Sequence, residues 1–289
     1  MISLNYNSAA DLRSFLDTNG LGMRKKFGQN FLINPGVRQA LVCALEAEAG
    51  DEVWEIGPGL GAMTCLLLEK GFLVKAFEID SGFSRVLGEL FAGSENFTLV
   101  EGDVLKTWPA QPAAPYLLGN LPYNIAATLL ADLIEQRRFF KRMVVTVQRE
   151  VAQRMAAKPG SADYSSFSVL CASMYRVKPL MVIKGASFYP RPHVDSQAVL
   201  LELKEDAAAS AGNMRPSCFY PLVRQLFSSR RKTIKNNLPG FFVSKCASPG
   251  QTAAEALEKS ALDGGKRAEK LSLEDFAVLA KVIEDMGIL

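Results

Sequence analysis

Histidine is almost missing from this chain: His193 is the only one in 289 residues. A single imidazole removes His-rich metal sites and leaves a Ser-His-Asp hydrolase hanging on one residue. Cysteine is sparse and scattered. Cys43, Cys65, Cys171, Cys218 and Cys246 form no C-x-x-C pair, which argues against structural zinc and a disulfide framework and predicts reduced thiols. No run of ~18 apolar residues occurs, and the first twenty residues, with Asp11, Arg13 and Asp17, lack a signal peptide's apolar stretch. A cytoplasmic protein with no metal and no membrane span is the expectation. Charge of one sign is also in short supply, since 33 Lys and Arg against 30 Asp and Glu leave a net +3. So mild an excess permits a nucleic-acid partner without requiring one, and the clustering of charge has to decide. No internal repeat is evident.

What is present suits a folded chain that buries a sizeable core: 48% of residues are hydrophobic and 22% charged. The length predicts one large domain plus a smaller one. Ser8 to Leu16 has helical spacing behind a Ser cap, and Asn34-Pro35 opens a helix to about Glu48. From residue 52 strand and helix alternate: strands at Glu52 to Ile56, Phe72 to Ile79, Phe97 to Glu101, Tyr116 to Leu118 and Arg142 to Val147, with helices at Ala62 to Lys70, from a Ser81 cap to Phe91, and at Ile125 to Gln136. This alternation predicts a parallel sheet with helices on both faces and ligands at the carboxyl ends of its strands. Helices are expected at Val151 to Met155 and Ser165 to Tyr175, and strands at Lys178 to Lys184 and Ala198 to Leu203. The stretch 205–217, rich in Ala and broken by Gly212 and Pro216, reads as a linker. Helices at Cys218 to Ser228, Lys232 to Leu238, Ala253 to Ala261 and Leu273 to Met286 then make a small helical domain over 218–289.

The predicted strand ends carry Glu55, Gly57, Glu78, Asp80, Asp103 and Asn120. The turn Gly57-Pro58-Gly59-Leu60-Gly61 lets backbone approach a ligand, and Glu78, about twenty residues on, is placed to accept from ribose hydroxyls. The spacing is not the dinucleotide G-x-G-x-x-G, and Pro58 removes one amide from an anion cradle. Asn120-Leu121-Pro122-Tyr123 offers an amide acceptor for an exocyclic amine, and a ring whose stacking with a base is worth ~1–3 kcal/mol. The same residues also read as a strand-to-helix turn with Tyr123 as core filler, and Glu78 and Asp103 as surface acids. Arg24, Lys25 and Lys26 with Phe27 and Phe31, and Arg224, Arg230, Arg231, Lys232 and Lys235 with Leu226, Phe227 and Ile234, fit either a nucleic-acid contact or a solvated charged face.

Together these blocks resemble the ribosomal RNA adenine N6-dimethyltransferases. The resemblance runs from about residue 24 to the C-terminus through Phe27-Gly28-Gln29-Asn30-Phe31-Leu32, the Glu55-to-Gly61 turn, Phe77-Glu78-Ile79-Asp80, Glu101-Gly102-Asp103 and Asn120-Leu121-Pro122-Tyr123. Phe188-Tyr189-Pro190-Arg191-Pro192-His193-Val194-Asp195-Ser196 and the run from Arg230 to Leu238 agree. Within the family the chain is more similar to the small-subunit enzymes than to the antibiotic-resistance methylases of large-subunit RNA. Residues 1–23 look like an addition, and Asp163-Tyr164-Ser165-Ser166-Phe167-Ser168 departs from the family's Tyr-Gly-Arg-Leu-Ser by lacking its arginine.

The resemblance implies a class I, Rossmann-like methyltransferase domain over 24–204 and S-adenosylmethionine as donor. It assigns the donor's ribose to Glu78, its adenine amine to Asp103 and its methionine moiety to Gly57, with Asn30 and Leu32 closing over it. Asn120 and the Leu121 carbonyl would hold the target N6 beside Pro122, and Tyr123 and Phe188 would stack the flipped adenine. The implied partner is small-subunit ribosomal RNA or its precursor particle, met by a monomer through Arg24, Lys25, Lys26, Arg224, Arg230, Arg231, Lys232 and Lys235. The readings set beside it are a large-subunit methylase and a non-catalytic assembly or transcription factor on the same fold.

Overall fold

Apolar runs at 53–56, 74–77, 116–119 and 143–147, interrupted only by Glu55, Lys75 and Thr146, belong in the middle of a sheet covered on both faces. The computed structural model describes residues 4–23, 29–205 and 215–288, and in it these runs form such a sheet. In chain order the strands are β1 (Phe31–Leu32), β2 (Glu52–Ile56), β3 (Leu73–Glu78), β4 (Phe97–Glu101), β5 (Tyr116–Asn120), β6 (Arg142–Gln148), β7 (Tyr175–Ile183), β8 (Phe188–Tyr189) and β9 (Ser196–Leu203). Seven of them line up as β4-β3-β2-β5-β6-β9-β7. The pairs β4–β3, β3–β2, β2–β5 and β5–β6 are parallel, and β9 runs antiparallel to β6.

Strand order reverses at β2, where β3 lies on one side and β5 on the other. Such a reversal leaves a crevice beyond the strand ends. The register places Ile56 opposite Gly119, Glu78 opposite Glu101 and Asn120 opposite Thr146, so the carboxyl ends of β2, β3, β4 and β5 share one edge. β1 pairs with β8, Phe31 opposite Tyr189 and Leu32 opposite Phe188, as a separate two-stranded ribbon.

Local chemistry moves several boundaries from their sequence expectations. Asp80, not Ser81, caps helix Ser81–Leu90: its carboxylate accepts from the Gly82 and Phe83 amides, at 2.9 and 3.2 Å, and Ser81 is already the first helical residue. Helix Pro35–Cys43 ends well short of Glu48, and Glu46 adopts a left-handed φ of 48°. Helix Ser166–Met174 gives way at once to β7, so the strand begins at Tyr175. Helix Ala9–Thr18 is no loose addition, because Leu12 and Leu16 are buried in a cluster with Leu60, Phe83 and Val86.

The chain divides into two compact units, the first comprising 1–130, 139–152 and 178–202 and the second 131–138, 153–177 and 203–289. The second is thus wider than the helical stretch 218–289. Helices Pro216–Leu226 and Leu273–Asp285 pack there against Ser166–Met174, Phe227 stacks on Phe276 at 5.9 Å, and the Tyr164 hydroxyl donates to the Leu271 carbonyl at 3.1 Å. Ser272 caps the last helix with reciprocal bonds to Asp275. Most of the linker, 206–214, and the basic residues Arg24, Lys25 and Lys26 lie outside the described residues. Among the described residues no helix is long and apolar enough to cross a membrane.

Candidate active site

The turn after β2 packs three left-handed glycines into five residues, with φ of 69° at Gly57, 59° at Gly59 and 89° at Gly61. Side chains are strained there, and a Cβ on Gly59 would also sit 3.0 Å from the Phe31 ring. Glu78, at the end of β3, fastens the turn: its Oε2 accepts from the Gly59 amide at 3.1 Å and its Oε1 from the Asp80 amide at 2.8 Å. Burial pushes this carboxyl up to about 7, while the two amides pull it down. A carboxylate has roughly four lone-pair sites, so acceptor capacity remains for a ligand's hydroxyls.

Asp103 follows β4 and caps the short helix Val104–Thr107 through Oδ1, which accepts from the Leu105 amide at 3.0 Å. Its Oδ2 has no hydrogen-bond partner among the described residues. Asn120 closes β5, and its Nδ2 donates to the Asn30 carbonyl at 2.8 Å. A carbonyl can only accept, so this bond fixes the amide's orientation and leaves Oδ1 for a donor. Leu121 is buried and its amide donates to the Thr146 carbonyl at 3.1 Å, which ties the segment before Pro122 to β6. The Tyr123 hydroxyl bonds Ser196 Oγ at 2.7 Å, and burial raises the phenol further above neutrality, so it stays uncharged.

Asn30, Leu32, Gly57, Glu78, Asp103, Asn120, Leu121, Pro122 and Tyr123 all line one cleft of about 270 Å3. Phe188 does not. It is 3% exposed, sits opposite Leu32, and belongs to the core around Val144, Ile183 and Leu200. Its geometry therefore supports a packing role, not the stacking role that the resemblance implies. Glu55 also departs from its strand-end reading, since it lies inside β2 with its side chain fully buried. Thr64 Oγ1 donates to its Oε2 at 2.6 Å, its Oε1 is unpartnered among the described residues, and burial pushes it up to about 7.

The profile of the family described as ribosomal RNA adenine dimethylase matches residues 20–285. The chain belongs to that family. It is 46% identical to the ribosomal RNA small subunit methyltransferase A of Treponema denticola, over 96% of either chain. The crystal structure of a dimethyladenosine transferase from Plasmodium falciparum superposes with a TM-score of 0.76 at 28% identity, covering 88% of this chain and 98% of that one. The 23S rRNA methyltransferase ErmE superposes at 0.62 with 20% identity, covering 88% of this chain and 99% of that one, and shares the class I methyltransferase fold.

In this dimethylase the basic segment is a turn and not the start of a helix. Arg230, Arg231 and Lys232 precede the short helix Ile234–Asn237, and with Arg224 and Lys235 all five cations are exposed. Arg224 pairs with Glu135, and Arg230 donates to the Ala162 carbonyl at 2.7 Å with Glu269 at 3.7 Å. Arg231, Lys232 and Lys235 have no such partner among the described residues. Sequence reasoning missed the residue that shapes this turn. Asn237 is buried and its Nδ2 donates to the Leu226 and Ser229 carbonyls at 2.8 and 3.0 Å. An amide inside an apolar stretch, Ile234 to Leu238, was the available signal. Ser196, the partner of Tyr123, had no local signal because it stands 73 residues away.

Proposed function

We propose that the chain transfers two methyl groups from S-adenosylmethionine to N6 of each of two adjacent adenosines near the 3′ end of small-subunit ribosomal RNA. The observation that carries this reading is the Asn120 amide, whose Nδ2 is held by Asn30 and whose Oδ1 is left as an acceptor on the cleft wall. An exocyclic adenine amine needs such an acceptor. Membership of the dimethylase family and the name of the Treponema denticola relative support the substrate.

The residues present fit the donor. Glu78 has lone pairs free for two vicinal hydroxyls, Asp103 Oδ2 suits an adenine amine, and Ile56, Phe77 and Val104 give the cleft apolar wall. S-adenosylmethionine supplies a methyl group already activated on a sulfonium. The protein's part is alignment, an effect worth up to ~7–11 kcal/mol. Asn120 Oδ1 and the Leu121 carbonyl accept from N6 and turn its lone pair toward the methyl, while Tyr123, anchored by Ser196, stacks the base. Three cations, Arg231, Lys232 and Lys235, meet RNA phosphates, and the substrate is the ribosomal precursor particle in the cytoplasm, engaged by a monomer.

Intact Glu78, Asp103 and Asn120 speak against a purely binding role. The test is to delete the gene and map N6,N6-dimethyladenosine in both ribosomal RNAs. The marks disappear from the small-subunit RNA and return with the wild-type gene but not with Asn120→Ala. Loss from the large-subunit RNA instead, or no loss in either, overturns the proposal.

A further inference from the structure

Residues 4–23 precede every motif of the cleft, yet they touch it at two independent points. Tyr6 donates its hydroxyl to the carbonyl of Leu60, in the middle of the glycine turn, at 2.9 Å. Helix Ala9–Thr18 seals the contact, because Leu12 and Leu16 pack with Leu60, Phe83 and Val86, and Phe31 meets Phe83 at 5.6 Å between ring centroids. The second point is Arg38, a 5% exposed cation whose Nη1 donates to the Leu32 carbonyl at 2.6 Å and the Tyr6 carbonyl at 3.2 Å. Its Nη2 donates to Asn7 Oδ1.

Every one of these acceptors is neutral, and burial lowers the Arg38 pKa. A buried cation with no carboxylate partner among the described residues is costly, and what this one secures is a fixed join between Tyr6, Asn7 and β1 at Leu32. Two residues before Leu32, the Asn30 carbonyl orients the Asn120 amide. The glycine turn and β1, two walls of one cleft, are thereby tied to the same N-terminal segment, with Arg38 itself on the cleft lining.

We propose that this segment is a working part of the donor site, with Tyr6 and Arg38 as positioning residues that set the cleft's affinity for S-adenosylmethionine. The inference rests on the reading of the cleft as the donor site. Tyr6 acts through Leu60, and Arg38, which itself lines the cleft, acts through Leu32 and Asn30; neither is placed at the reacting atoms, so their loss weakens donor binding and spares turnover once donor saturates.

The test uses the full chain and the variants Tyr6→Phe and Arg38→Met, with S-adenosylmethionine binding by calorimetry, donor KM and kcat on precursor particles, and thermal melting. Tyr6→Phe keeps the ring and removes one hydroxyl, so its dissociation constant and donor KM rise about 3- to 10-fold, the range one neutral hydrogen bond supplies, with kcat within about twofold. Arg38→Met shows a larger rise of the same kind. An unchanged donor affinity in Tyr6→Phe, with or without a drop in melting temperature, overturns the proposal, and so does a loss confined to kcat. If Arg38→Met does not fold, Tyr6→Phe decides alone. Wild-type protein that binds no S-adenosylmethionine refutes the functional reading itself, an outcome distinct from variants that bind as well as wild type.

Discussion

Asn120 and Asn30 stand ninety residues apart and meet through one hydrogen bond of 2.8 Å, from the side-chain amide of the first to the backbone carbonyl of the second. That bond sets which end of the amide faces the cleft. Asn120→Ala is expected to keep donor binding within a few-fold and to lower single-turnover methyl transfer by roughly a hundredfold, because the target amine loses its orientation. Asn120→Asp puts an oxygen against the Asn30 carbonyl and should fare no better. Rapid-quench single turnovers decide it, and full-rate transfer by Asn120→Ala removes the role.

Glu78 should make donor binding depend on pH. Its carboxyl sits near 7, and the ionised form offers the full set of acceptors, so affinity for S-adenosylmethionine should fall as pH drops through about 7. Glu78→Gln should flatten this profile, and Glu78→Ala should weaken binding by several-fold or more. Calorimetry from pH 5.5 to 8.5 measures both, with a flat wild-type profile as the contrary result.

Glu55 predicts the stability of the protein rather than its activity. Its folded-state pKa of about 7 lies above the ordinary carboxyl value of 4.5, so between those limits the native state holds more protons than the unfolded one. Stability from this group is fully present below about 4.5 and is lost as pH rises through 7. Melting temperature against pH should therefore fall less steeply in Glu55→Gln than in wild type. Parallel curves would contradict the assignment.

Phe188 separates packing from stacking. Phe188→Leu preserves an apolar core residue and should keep methyl transfer near wild type with a modest loss of stability, of about 1–2 kcal/mol. A folded Phe188→Leu protein with a large loss of transfer would show that the ring acts on the base.

Neutralising Arg231, Lys232 and Lys235 should lower affinity for the precursor particle and flatten its salt dependence. The slope of log K against log[salt] changes by ~0.7 to 0.9 per lost phosphate contact, so by roughly two to three units here. Arg224 and Arg230 already have carboxylate or carbonyl partners, and replacing them should change the slope less. Binding at four salt concentrations, with melting as a folding control, tests this, and an unaltered slope in the triple variant places RNA recognition elsewhere.

The sheet was legible because its strands are short apolar runs between glycine turns and strand-end acids, and two periodicities suffice to read that pattern. Nine of the ten residues assigned to donor or base line the cleft for the same reason: parallel strands in register deliver their carboxyl ends to one edge. What escaped depends on distance along the chain. Glu55 and Glu78 look alike in sequence, and only the pleat decides that one enters the core while the other faces the turn. Phe188 was assigned through its motif, but its pairing with Leu32, 156 positions away by their numbering, settles its burial. Tyr6 and Arg38 lie outside any motif, and most of their partners are backbone carbonyls, which leave no mark in side-chain patterns.

The chain alternates between its two compact units, changing over after residues 130, 138, 152, 177 and 202. Helix Ser166–Met174 belongs to the second unit and has seven of its nine residues buried, packed by helices that come fifty or more residues later. A fragment that stops near residue 204 would keep this helix and lose its cover, baring Phe167, Val169, Leu170 and Met174 to water. Neither half can be cut free at a single point. A premature stop codon late in the gene would therefore yield a sticky, insoluble product, not a catalytic half that still binds donor.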